Sequence, residues 1–206
     1  LTGRSVVETL RRIGIDTIAH VRPDSHRLEE WRTHFQSIGA RVSTAAWNPQ
    51  SMRSELCQEM PTHVFGLLGT TKKKAAAGGG DYEAVDYGLT HCLFQAAQSI
   101  QPTPLCVYLS AAGVSENSRG AYYLARARIE QELSASTVRS LIARPSFILG
   151  DRDDYRPGEH YGAPIVDGLL STVSFLGGRR WADRYRSMSG EEVAKGLVRL
   201  ALDGYE

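Results

Sequence analysis

The sequence predicts one α/β domain, a doubly wound parallel sheet with helices on both faces and a small C-terminal lobe. Short apolar runs alternate with stretches of helical hydrophobic spacing through most of the chain. One run, Leu105-Cys106-Val107-Tyr108-Leu109, is apolar throughout instead of alternating, as in a strand covered on both faces. The 206 residues, 42% hydrophobic and 23% charged, suit one domain with a full core.

Taken in order, Val6, Val7, Leu10 and Ile13 recur at helical spacing before a glycine stop at Gly14, so the chain opens on a helix. Residues 17–21 read as a strand. Leu28, Trp31, Phe35 and Ile38 mark a helix over 26–38 that Gly39 ends. A strand over 41–46 follows, then a turn at Asn48-Pro49 and a short helix through Met52, Leu56 and Met60. Residues 63–68 form the next strand. It runs into Leu68-Gly69-Thr70-Thr71, where glycine lets backbone approach a ligand and the threonines can donate hydrogen bonds. Lys72-Lys73-Lys74 reads first as a solvated loop and second as an attractor of anions, and the 75–80 stretch AAAGGG as a flexible loop able to act as a lid.

One long helix is expected from Tyr82 to Ile100, then a turn at Pro102-Thr103-Pro104 and the buried strand 105–109. Ser110 stands at its carboxyl end. Tyr122, Ala125, Ile129 and Leu133 define the next helix, with Tyr122 and Arg126 one turn apart. Leu141-Ile142-Ala143 is a further strand ending at Arg144-Pro145-Ser146. Pro164 precedes a helix carrying Ile165, Val166, Leu169, Leu170 and Val173, and Ser189 with Glu192 is a capping box opening the last helix.

A formal charge of +1 gives no whole-protein field, so neither nucleic acid nor a membrane surface is an expected partner. No apolar run approaches the ~20 residues of a membrane span, and no signal peptide is visible. Cys57, Cys92 and Cys106 are odd in number and sit in apolar segments, against a disulfide framework or a metal site. A reducing, cytoplasmic location is the expectation.

Ser110, then Tyr122 with a basic residue four positions on, resembles the Ser and Tyr-x-x-x-Lys constellation of the short-chain dehydrogenase/reductase superfamily. Leu68-Gly69-Thr70-Thr71 with Lys74, Leu109-Ser110 with Gly113, Arg144-Pro145, Asp151-Arg152 and Arg156-Pro157-Gly158-Glu159 narrow it. Together they resemble its atypical, NmrA-like branch and the Tat-interactive-protein-like oxidoreductases. The resemblance implies a Rossmann-like dinucleotide holder, with residues 1–145 as the cofactor-binding core and 146–206 as mostly the substrate-side lobe and last helix. It implies Tyr122 as the acid, Ser110 as the second donor to a carbonyl oxygen, and Arg126 in the place of the family lysine. Arg126 keeps the charge but cannot release a proton.

Cofactor contacts are expected from Thr2, Gly3 and Arg4 at the first helix, from Leu68, Gly69 and Thr70, and from Pro145 beside the nicotinamide. Gly3 matches only the last glycine of the pyrophosphate turn, and the resemblance places a short strand and two more glycines upstream of Leu1. Arg22, about twenty residues on, stands where a ribose contact is expected. A guanidinium there suits a 2′-phosphate and favours NADP over NAD, although Asp24 nearby keeps open an ordinary solvated loop. Asp86 and Tyr87 read as packing or positioning residues.

The expected function is NADP-dependent oxidation or reduction of a small substrate, without a metal. An NADPH-binding regulatory or interaction protein that does no turnover is the first alternative, and epimerase or dehydratase chemistry the second. A protein partner or a homodimer stays open.

Overall fold

The structure, a computed structural model, describes residues 2–70, 81–146, 148–149 and 188–203. Thr71, the Lys72–Lys74 run, the 75–80 loop, Asp151-Arg152, Arg156–Glu159 and the helix expected after Pro164 lie outside the described residues.

The elements run α1 (Thr2–Arg12), β1 (Ile18–His20), α2 (Leu28–Ser37), β2 (Arg41–Ser43), α3 (Pro49–Glu59) and β3 (His63–Gly66). A π-helix (Tyr82–Leu89) passes directly into α4 (Thr90–Gln98), followed by β4 (Leu105–Leu109), α5 (Ala121–Ala135) and β5 (Ser140–Ala143). β6 (Ile148–Leu149), β7 (Met188–Ser189) and α6 (Gly190–Asp203) complete the order.

All strand pairs among the described residues are parallel. β1 pairs with β2, β3-β4-β5 form a second sheet, and β6 pairs with β7. Among the described residues no strand joins β1 to β3. The doubly wound α/β class is as the sequence predicts.

β4 is the centre of the core, and every one of its residues is buried. Alternation sends Leu105, Val107 and Leu109 to one face, where they pack on Val6 and Leu10 of α1 and on Val193, Leu197 and Val198 of α6. Cys106 and Tyr108 point to the other face, against Met52 and Leu56 of α3, Phe94 of α4, and Ile129 and Leu133 of α5. A strand buried on both sides has no polar positions, which is why the run 105–109 is apolar throughout. Burial also pushes the Cys106 thiol up to about 12, whereas Cys57 is exposed on α3.

Local signals read from sequence have physical counterparts. Ser189 and Glu192 make the reciprocal capping box, with Ser189 N donating to Glu192 Oε2 at 2.7 Å and Glu192 N donating to Ser189 Oγ at 3.1 Å. Asn48 caps α3 by accepting from Ser51 N at 2.9 Å. Gly14 and Gly39 take positive φ of 81° and 79°, as stops after α1 and α2. Two expectations change. The strand expected over 41–46 is paired only through Ser43, because Ala45 and Trp47 turn to pack on the core and the Ala45 carbonyl accepts from His20 Nε2 at 2.8 Å. The single long helix from Tyr82 is two elements, a π-helix and an α-helix.

Candidate functional site

The site forms where β3 and β4 end, because parallel strands deliver their last residues to one edge and the following loops diverge from it. Ladder pairing continues past β4. Ser110 N donates to the Ala143 carbonyl and Ala112 N to the Pro145 carbonyl, both at 2.8 Å, so the Ser110 and Pro145 segments lie side by side. Continuing the strand alternation puts Ser110 on the Tyr108 face, which looks toward α4 and α5. Ser110 is 3% exposed, and its Oγ has no hydrogen-bond partner among the described residues.

Arg126 ties these parts together. It projects from α5 into the interior, 6% exposed, donating through Nη1 to the Leu109 carbonyl at 2.5 Å and through Nη2 to Asp86 Oδ1 at 2.9 Å. Asp86 in turn accepts from Thr70 N through Oδ2 at 2.8 Å. One fully buried carboxylate on the π-helix therefore fixes both the α5 guanidinium and the loop after β3. Burial pushes the Asp86 carboxyl up, opposed by the Thr70 N–H and by Arg126. Gly69 sits against this pair, and a Cβ there would lie 3.0 Å from Arg126 Nη2 and 3.4 Å from Asp86 Oδ1.

Tyr122, in the first turn of α5, is half-buried. The Arg126 guanidinium carbon is 4.8 Å from the centroid of its ring, within cation–π range. Tyr82 of the π-helix meets the same ring edge-on at 5.5 Å, and Ala111, Val114 and Ala127 pack beside it. Burial pushes the Tyr122 phenol up and outweighs the opposing pull of Arg126, so at neutral pH the hydroxyl keeps its proton. Such a group can donate a proton or a hydrogen bond. Tyr123, next in sequence, is exposed.

The predicted residues thus fall into three places. Ser110, Tyr122, Arg126, Leu68, Gly69, Thr70 and Pro145 lie at or near the ends of β3, β4 and β5. Thr2, Gly3 and Arg4 form the first turn of α1, where Thr2 is buried, nothing lies within 4 Å of a Cβ placed on Gly3, and Arg4 pairs with Glu8 at 3.5 Å. Arg22 follows β1, exposed, with its Nε 3.5 Å from Asp24.

Two contacts were not singled out from sequence. One is Tyr82 against Tyr122. The other is Glu130, buried on α5, which accepts from Arg144 Nε at 3.0 Å and from Arg144 Nη2, anchoring the β5 exit just before Pro145. A charged residue on an inward helix position was the available signal, since a buried acid needs a cation. Among the described residues no group of three or more His, Cys, Asp or Glu is placed to hold a metal ion, and no helix is long and apolar enough to cross a membrane.

No family model matches the chain. Among curated proteins it is 31% identical over 180 residues to "Protein FMP52, mitochondrial" of Eremothecium gossypii, a match covering 83% of this chain and 74% of that protein. It is 33% identical over 195 residues to "Protein fmp52-1, mitochondrial" of Aspergillus terreus, covering 93% and 77%. Among solved structures, the Thermus thermophilus UDP-glucose 4-epimerase complexed with NAD superposes with a TM-score of 0.65 at 15% identity, over 98% of this chain and 71% of that one. A mutant of a Serratia marcescens short-chain dehydrogenase/reductase does so at 0.64 and 13%, over 100% and 88%. These likenesses show a Rossmann-like fold of the short-chain dehydrogenase/reductase kind. The relatives overturn the expected cytoplasmic location, because they are named as mitochondrial proteins, and those names are FMP52 and not NmrA-like. On identity and coverage, the chain belongs to the FMP52 family.

Proposed function

We propose that the chain is an NADP-dependent oxidoreductase that reduces a small carbonyl compound, with Tyr122 as acid and Ser110 as second donor. The supporting observation is the half-buried Tyr122 phenol, kept protonated and stacked on Arg126 next to the end of β4 where Ser110 stands.

The residues present fit a dinucleotide. The N-terminal end of α1 presents the positive end of a helix dipole, with open space at Gly3 for close approach by a pyrophosphate. Arg22 can hold a 2′-phosphate, since its exposed pair with Asp24 is worth at most about 1 kcal/mol and yields to a stronger anion. Leu68, Gly69, Thr70 and Pro145 would line the cofactor along the strand ends. Bound there, the dinucleotide supplies the hydride. Ser110 Oγ donates to the carbonyl oxygen as negative charge develops on it, and the Tyr122 hydroxyl gives that oxygen its proton. The phenolate left on Tyr122 faces the Arg126 guanidinium, which stabilises it until a solvent proton returns. The names of the relatives favour a mitochondrial location, and the finer placement in the NmrA-like branch rests on the sequence strings alone.

A second reading, NADPH binding without turnover, is favoured by one observation. Both terminal nitrogens of Arg126 are engaged by the Leu109 carbonyl and Asp86, so the cation is committed to the interior. NADPH oxidation across a panel of aldehydes and ketones separates the two. Tyr122→Phe is expected to lower the rate about 100-fold or more while leaving NADPH binding unchanged. Equal rates in the variant rule out the assigned acid, and tight NADPH binding with no substrate turned over supports the second reading.

A further inference from the structure

Behind Ser110, around the inner face of β4, lie polar atoms that have no hydrogen-bond partner among the described residues. They are Tyr108 OH, Thr90 Oγ1 and Arg126 Nε, each shielded from solvent. Tyr108 and Thr90 are 0% exposed. Leaving a buried polar group unpaired costs about 1–3 kcal/mol, and native interiors rarely leave several unpaired together.

The three belong to one place. Asp86, Thr90 and Phe94 follow one another at four-residue steps and face the core side of the π-helix and α4. Asp86 contacts Arg126 at 2.9 Å, and Phe94 meets the Tyr108 ring edge-on at 5.9 Å. Thr90, between them, therefore faces the space between Arg126 and Tyr108. The Arg126 guanidinium carbon is itself 6.0 Å from the centroid of the Tyr108 ring. Polar atoms shielded from solvent and without a hydrogen-bond partner among the described residues call for a small bridging molecule.

We propose that Thr90, Tyr108 and Arg126 enclose a binding site for internal water, on the inner face of the strand that ends in Ser110. Water has the two donors and two acceptor positions that a hydroxyl, a phenol and a guanidinium N–H need together, and buried waters hold about three such bonds. It also gives Arg126 Nε a partner beside the buried Arg126–Asp86 pair, which lowers the desolvation cost of keeping two charges inside. The site stands whether or not the strand ends carry out catalysis.

The test pairs a crystal structure able to place ordered water with thermal unfolding of Tyr108→Phe, Thr90→Val and the double variant. Expected are water density within hydrogen-bond distance of at least two of the three atoms, a fall in Tm of about 3 °C for each single variant, and a double variant that loses less than the sum. Tyr108→Phe removes a hydroxyl without changing the ring, so if that hydroxyl has no partner the Tm rises instead. That rise, strictly additive losses, or a site closed by direct side-chain bonds with no water density would each overturn the proposal. In a Thr90→Ser background, which keeps the hydroxyl, Tyr108→Phe is expected to cost as much Tm as in the parent, and a clearly smaller cost there counts equally against the site.

Discussion

A Cβ at Gly69 would press on Arg126 Nη2 at 3.0 Å, and that guanidinium cannot swing aside without losing the Leu109 carbonyl or Asp86. Gly69→Ala is therefore expected to cost about 1–3 kcal/mol, read as a lower midpoint in urea unfolding. The glycine was visible in sequence as one that admits close approach, but what approaches it was not, because Arg126 lies on a distant helix. Half-buried His20 and His63 make stability depend on pH. Burial lowers the His20 pKa below 6.5, and its Nε2–H already donates to the Ala45 carbonyl. The unfolded chain then takes up a proton before the folded one does. The stability His20 contributes is full above about pH 6.5 and drains away as pH falls below it; burial of His63 acts in the same direction. Tm measured from pH 7.5 down to 5 should decline in the parent and decline less steeply in His20→Gln.

Between residues 82 and 98 the hydrophobic pattern supported one helix, and the pattern was right about helix and wrong about its pitch. In the π-helix Tyr82–Leu89 hydrogen bonds span five residues instead of four, and nothing in hydrophobic spacing reports that change. What the segment delivers is Asp86, whose partners Arg126 and Thr70 are 40 and 16 residues away in sequence. Contacts of that kind escape any reading by local period. Sequence placed Tyr122 and Arg126 one turn apart, yet it left both their stacking and the direction of the guanidinium open. Asp86→Ala strands the Arg126 charge inside and frees Thr70 N, so a loss of about 3–5 kcal/mol is expected in chemical denaturation. A loss under about 1 kcal/mol would mean that the pair does not organise these elements.

The parallel, doubly wound plan was legible because it rests on few signals, above all the unbroken apolar run of β4 flanked by helices with one greasy side. Strand lengths were less so. Residues 17–21 and 63–68 read as strands; the strands themselves are Ile18–His20 and His63–Gly66, although Thr17 and Val21 still hydrogen-bond to Arg41 and Ser43 at the two ends of β1. The grouping of strands into separate sheets depends on which edges meet, and composition holds no record of that. The burial of Cys106 at 0% exposure, set against Cys57 at the surface, gives the molecule a built-in clock. Under a thiol-alkylating reagent followed by mass spectrometry, Cys57 should be modified within the mixing time. Cys106 should wait for the rare openings that part β4 from its neighbours, so its labelling rate would count how often the whole sheet comes undone.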